Sequence, residues 1–250
     1  SFANPKAMYL GSQGSRTVGI KITNVPKVRI SVFRVYENNI LHFLRQGREY
    51  AWWGDGMASS AFDFRYVGLS DYADTVSTQV VATRDLGSVE RGVVGFTFDV
   101  RRQTARKGLY LVKVESTDEQ WIQASTLVSL TDIGLIVKQG KTSWTAFVTS
   151  IADAQPKSAV ELSLISTNNQ VIKTVTTGAD GVAHLDDLPS ILGNFHVGMV
   201  TATYGDDYTV IVMKDTRVDH SRFDVGGAKD AGLGLQAFVY GERDIYRPGE

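Results

Sequence analysis

At 250 residues, with 43% hydrophobic and 21% charged residues, the chain has the composition of a globular protein and room for one large domain or two ordinary ones. A formal net charge of −1 argues against a general nucleic-acid or anionic-membrane binder. Cysteine is absent, which excludes disulfides, thiolate catalysis and Cys-ligated zinc in this sequence, and no run of eighteen apolar residues offers a bilayer span.

Residues 1–16 are small and polar, with Gly11, Gly14 and three serines, and read as a loosely held lead-in. Ser1-Phe2-Ala3-Asn4-Pro5 is not a signal peptide. From Thr17 the pattern changes: Val18, Ile20 and Ile22 alternate with Gly19 and Lys21, then Val28, Ile30, Val32 and Val35 with Arg29, Ser31 and Arg34. Both segments predict strands with one face toward a core and one toward water. Glu37 to Leu44 reads as a short helix with a stripe of Ile40, Leu41, Phe43 and Leu44, stopped by Gly47.

An aromatic loop follows in this reading, Tyr50, Trp52 and Trp53 beside Gly54-Asp55-Gly56. Tyrosine and tryptophan are enriched at binding hot spots, so these three are the candidate partner contact, although large aromatics usually bury and core or domain-interface packing is the favoured reading. Phe62, Phe64 and Tyr66 alternate as a possible strand, and Val76 to Thr83, Val93 to Val100, Leu109 to Glu115 and Trp121 to Leu130 predict more. The loop containing Arg101, Arg102, Arg106 and Lys107 reads as a solvated hairpin tip. Residues 17–130 thus form a first β-sandwich with a short helical insertion.

Residues 131–214 carry seven short strand candidates: Asp132–Lys138, Thr142–Ile151, Ala159–Ser166, Val171–Thr176, Gly181–Leu185, His196–Tyr204 and Asp207–Met213. Turn signals such as Gln155-Pro156, Thr167-Asn168-Asn169 and Gly205-Asp206 separate them. Short alternating strands at this spacing, with no long helix, predict an immunoglobulin- or fibronectin-like seven-stranded β-sandwich. Near Leu130 one strand runs almost directly into the next, which limits hinge motion there. Residues 215–233 are polar and read as a linker, and 234–250 as the start of a further domain. Leu235, Ala237 and Val239 alternate in its first strand, and Pro248-Gly249 forms its turn. The chain therefore reads as a piece of a longer protein.

No constellation points to catalysis. Gly232-Leu233-Gly234-Leu235-Gln236-Ala237 matches the letters of a dinucleotide fingerprint, but a polar linker precedes it and a strand pattern follows, where that chemistry needs strand then helix. His42, His184, His196 and His220 show no zinc-ligand spacing, and His196 falls on a predicted strand. Asp186-Asp187 and Asp206-Asp207 are better read as solvated turn residues than as calcium ligands. Neither a G-x-S-x-G elbow nor a phosphate-binding GxxxxGK[ST] is present. No enzyme activity, cofactor or metal is expected.

Two phrases carry a family resemblance. The end of the chain, Phe238-Val239-Tyr240-Gly241-Glu242-Arg243-Asp244-Ile245-Tyr246-Arg247-Pro248-Gly249-Glu250, resembles the opening of a macroglobulin domain in bacterial α2-macroglobulins, where a DR-x-[IV]-YRPGE phrase is common. Leu130-Thr131-Asp132-Ile133-Gly134-Leu135 resembles the "TD-x-G" start of the preceding domain in the same family. The resemblance implies tandem macroglobulin domains of a periplasmic protein that frame a bait segment and entrap the protease that cuts it. Partners are then proteases, other cell-envelope proteins, or both. The reactive Cys-x-x-Gln thioester of many family members cannot lie in this cysteine-free sequence. The competing reading is a carbohydrate-binding or adhesion-type tandem sandwich, with the tryptophans of the aromatic loop stacking on sugars.

Overall fold

The computed structural model describes residues 1–3, 8–10, 17–53, 63–65, 67–90, 93–97, 107–119, 121–140 and 142–213. Ser1–Thr216 form one compact unit, the larger of two. The predicted linker and the strand–turn pattern after it lie outside the described residues, as do Arg101, Arg102, Arg106 and His220.

The first half of the larger unit contains β1 (Met8–Leu10), β2 (Thr17–Ile20), β3 (Lys27–Val35), β4 (Ala73–Ala82), β5 (Gly87–Glu90), β6 (Val93–Thr97), β7 (Gly108–Ser116) and β8 (Gln123–Leu130). They make a five-stranded sheet, β1-β8-β7-β3-β4, facing a three-stranded one, β2-β6-β5. Val18, Ile20 and Phe96 from the smaller sheet bury against Val28, Ile30, Val32, Tyr110, Val112 and Val114 from the larger. The lead-in differs from expectation. Phe2 is buried and bridges to Ile20, and the β1 backbone pairs in parallel with β8, so this stretch is tied to both sheets.

The other face of the large sheet is also covered. Helix α1 (Ile40–Trp53) lays Ile40, Leu41, Phe43 and Leu44 over Val35, Leu109, Leu111 and Leu127. Two-sided burial is why β7 reads as an unbroken run, Leu109-Tyr110-Leu111-Val112, where a half-exposed strand would alternate.

The helix corrects three expectations. Glu37–Asn39 is a 3-10 turn, and the α-helix begins only at Ile40. It does not stop at Gly47. Glycine costs about 1 kcal/mol inside a helix, but here it makes room for a ring. A Cβ on Gly47 would lie 2.6 Å from Phe64 Cζ and 2.9 Å from Cδ1, and nearer still to Cε1. Phe64 in turn stacks on Phe43, with ring centroids 4.4 Å apart and planes at 13°. The alternation of Phe62, Phe64 and Tyr66 is therefore no strand at Phe64; the other two residues lie outside those described.

The second half contains β9 (Ile133–Gln139), β10 (Trp144–Ser150), β11 (Glu161–Ser166), β12 (Val171–Thr176), β13 (Val182–Leu185), a short α2 (Leu188–Leu192), β14 (Val197–Tyr204) and β15 (Asp207–Val212). All seven predicted strands are present. His196 lies just before its strand, and α2 escaped the sequence reading. The sheets are β13-β10-β9 and β12-β11-β14-β15. Ile133, Ala146, Val148 and Ala183 of one pack against Val160, Leu162 and Ala202 on the side of the other. Asp187 takes positive φ (57°), which an aspartate tolerates, and turns the chain into α2. The architecture is all-β, two seven- to eight-stranded sandwiches in tandem with helical additions.

Candidate functional site

The richest side-chain chemistry lies at the seam between the sandwiches. β8 ends at Leu130 and β9 begins at Ile133, so only Thr131 and Asp132 connect them. Asp207, the first residue of β15, reaches this connection. Its Oδ1 accepts from Thr131 Oγ1 at 2.6 Å, and its Oδ2 accepts from the Asp132 amide at 3.0 Å and from Lys107 Nζ at 2.8 Å. Thr131 Oγ1 itself accepts from the Ile133 amide at 2.9 Å. Asp207 is 2% exposed and Thr131 1%. Two expectations fall here. Asp207 is no solvated turn residue, although Asp206 beside it is exposed. Lys107 is no free hairpin tip, because a buried carboxylate holds it.

Asp132 anchors the second side of the connection. Its Oδ1 accepts from the Ala152 amide at 2.9 Å and Ser150 Oγ at 3.3 Å, and its Oδ2 from Lys157 Nζ at 3.0 Å. Burial works to raise this carboxyl, but the Lys157 and Ala152 hydrogen bonds outweigh it and hold the group below its ordinary value. Asp63 shows the same balance. Burial pushes it up, and the bonds from the Arg65 guanidinium (2.6 Å from Nη2 to Oδ2) and amide bring it below normal. The Asp63 amide donates to Gly47 O at 2.7 Å, which pins this segment onto α1.

Both carboxylates are favoured as ions in the folded state, so their contribution to stability is fully present above the unfolded pKa of about 4 and is lost as pH falls through the depressed folded values. We expect the urea midpoint to stay flat from about pH 7 to 5 and to fall below about pH 4. The pair Asp63→Asn and Asp132→Asn should have a lower midpoint at neutral pH and a shallower acid slope. Equal slopes in variant and wild type would refute this assignment.

Helix α1 spans the seam. Its residues Ile40, Leu41, Phe43 and Leu44 share one buried cluster with Ile165, Met199 and Tyr208 of the second sandwich. Burial, and then the Glu37 carboxylate, push the Tyr208 phenol upward, so it stays protonated. Arg45 Nη2 donates to Thr167 O at 3.0 Å, and Asn169 Nδ2 donates to Asn38 O at 2.8 Å. Asn169 adopts positive φ (66°) in the β11–β12 turn. Sequence reasoning missed Asp207, Thr131 and Asn169 as seam residues. Thr131-Asp132 stood inside a phrase already singled out, but no local pattern pairs it with a carboxylate 75 residues later.

The candidate contact residues Tyr50, Trp52 and Trp53 lie on the last turns of α1, not on a loop. The helix continues because Gly47 does not end it. His42, His184 and His196 are exposed and apart from one another. Among the described residues no group of three or more His, Asp or Glu is placed to hold a metal ion. Asp186 and Asp187 are exposed at the turn before α2, as expected. An open cavity of about 440 Å³ at one end of the first sandwich is lined by apolar residues such as Ile20, Val28 and Val114 together with polar ones such as Lys21, Glu115 and Gln123, and its lining holds no histidine. Among the described residues no helix is long and apolar enough to cross a membrane.

Comparison with known proteins gives a consistent result. Residues 130–230 match the family described as the bacterial alpha-2-macroglobulin MG3 domain. Alpha-2-macroglobulin from Rickettsia conorii is 27% identical over 263 residues, covering 99% of this chain and 14% of that protein. The Escherichia coli alpha-2-macroglobulin is 24% identical, over 91% of this chain and 13% of that protein. Among solved structures, trypsin-activated alpha-2-macroglobulin from E. coli superposes with a TM-score of 0.66 at 23% identity, over 97% of this chain and 16% of that one. The native E. coli protein spanning domains NIE-MG1 gives 0.62 at 19% identity, over 85% and 95%. At these identities the superpositions establish a shared fold. The chain thus spans about one-seventh of the length of the curated relatives it matches.

Proposed function

We propose that this chain, a member of the bacterial alpha-2-macroglobulin family, is a non-catalytic scaffold segment of a protease-trapping or envelope-protein-binding protein of the periplasm. In this reading residues 17–130 and 131–214 are consecutive macroglobulin-like modules. Its working parts are surfaces and their fixed arrangement, not a reactive pocket. The observation that carries it is coverage: the same class of protein aligns over 98–99% of the chain in the Rickettsia and Pasteurella multocida relatives. The solved relative activated by trypsin supports a protease as the partner. Size-exclusion chromatography of the full-length gene product mixed with trypsin tests this. Trypsin co-eluting with the large protein is expected, and trypsin eluting free throughout would sink the trapping reading.

Tyr50, Trp52 and Trp53 are proposed as a docking contact at the end of α1. Large aromatics at the end of a helix fit a protein surface, and a helical backbone at these positions supports this reading over the sugar-stacking alternative, which was argued from a loop. In a pull-down from an envelope extract, Trp53→Ala should recover a protein partner at least several-fold less well than wild type. Equal recovery would remove Trp53 from the contact. A saturable shift of tryptophan fluorescence with glycans would instead revive the carbohydrate reading.

A further inference from the structure

We propose that α1 is a strut that fixes the two sandwiches as one body, with no working hinge at Thr131-Asp132. The inference deepens the scaffold reading, on which its purpose rests, by naming the element that keeps the scaffold rigid. Neighbouring domains in one chain usually meet through small, rather polar contacts and move against each other. This seam is built differently. Ile165, Met199 and Tyr208 of the second sandwich share one buried cluster with Phe43 of α1 and Leu111 of the first sheet. A relative rotation would have to open that cluster to water.

Close approach is built into the backbone. A Cβ on Gly198 would lie 3.1 Å from Leu41 Cδ2, 3.1 Å from Thr167 Cα and 3.2 Å from Ser166 O. The absence of a side chain there lets α1 sit directly on β14 and the turn after β11. Polar ties then lock the position from three separate stretches, two in the first sandwich and one in the connection itself. Asn38 and Arg45 hold the Thr167–Asn169 turn, Lys107 holds Asp207, and the connection itself is held by Asp207 through Thr131 and the Asp132 amide. A bend at residues 131–132 moves all three ties at once and satisfies none of them elsewhere.

The cysteine-free sequence makes the test direct. Arg84, with its side chain 89% exposed on the first sandwich, and Val171, 65% exposed on the second, are replaced by cysteine in the full chain and spin-labelled. Pulsed electron resonance should show a single narrow distance population. Two sets of cuts are then made on this background: Arg45→Ala with Asn169→Ala, which removes only exposed polar ties, and Leu41→Ala, which thins the shared cluster. Either set should broaden the distribution or add a second, shifted population. Should circular dichroism show Leu41→Ala unfolded, the polar set decides alone. A broad or multiple distribution before any cut overturns the proposal, and so does a distribution left unchanged by the cuts that fold. Protease trapping does not enter this measurement, so failure of the scaffold reading leaves it interpretable.

Discussion

Asp207→Ala is expected to lower the unfolding free energy of the larger unit by about 3–5 kcal/mol, the range for breaking a buried ion pair by removing one partner. The carboxylate is 2% exposed and serves three donors at once. Alanine leaves the Thr131 hydroxyl and the Asp132 amide without acceptors in a site too closed for water to replace them all. Lys107 suffers less, because its side chain is 30% exposed and can turn to solvent. The loss should therefore reside mainly in the connection, not in the ammonium.

The asparagine variant separates these terms. Asp207→Asn keeps the shape and the oxygen that faces Thr131, but turns an amide donor toward the Asp132 amide and Lys107. Its cost should be about half that of alanine, since a partial set of hydrogen bonds survives. Lys107→Met, which keeps an apolar stem of similar length but leaves the buried Asp207 carboxylate without its counter-ion, should cost about 3 kcal/mol or more. The check is urea unfolding followed by circular dichroism in the far ultraviolet. An Asp207→Ala loss under about 1 kcal/mol would show that the carboxylate is not what holds the seam. Stabilities of folded domains lie near 5–15 kcal/mol, so the expected loss is a large share of the whole.

Much of the sheet architecture was readable because strand alternation is a local signal. Val18/Ile20 and Val28/Ile30/Val32 announced their buried faces directly, and the seven strands after Ile133 sit within a few residues of the predicted spans. Where reading failed, the deciding contact was distant in sequence. Asp207 looked like half of an acidic turn because Lys107 and Thr131, its partners, lie 100 and 76 residues away. Phe2 looked like part of a loose tail, because nothing near it reveals Ile20 as its neighbour. Gly47 is the sharpest case. Its composition says helix stop, and a propensity argument has no access to the ring of Phe64. One clue was available: the unbroken apolar run Leu109–Val112 required a second covering layer over the sheet, and the apolar stripe Ile40, Leu41, Phe43 and Leu44 could supply it.

That layer sets up the second large effect. Phe64→Ala should cost about 3–5 kcal/mol, because a ring that is 2% exposed and stacked on Phe43 leaves a cavity that its neighbours can only partly fill. The backbone bond from Asp63 N to Gly47 O holds the segment in place, so collapse into the gap is restricted. Gly47 then provides an internal control. Alone, Gly47→Ala forces a methyl group into the Phe64 ring, and overpacking of this kind costs about 1–3 kcal/mol, more than the roughly 1 kcal/mol gained from the better helix former. With Phe64 already alanine the clash is gone, and the same substitution should stabilise by about 1 kcal/mol. The sign must reverse between the two backgrounds, since only the ring makes glycine necessary at this turn of the helix. Urea midpoints of the four proteins in the cycle measure this coupling, and a Gly47→Ala effect of the same sign in both would disprove that the helix runs through position 47 to accommodate Phe64.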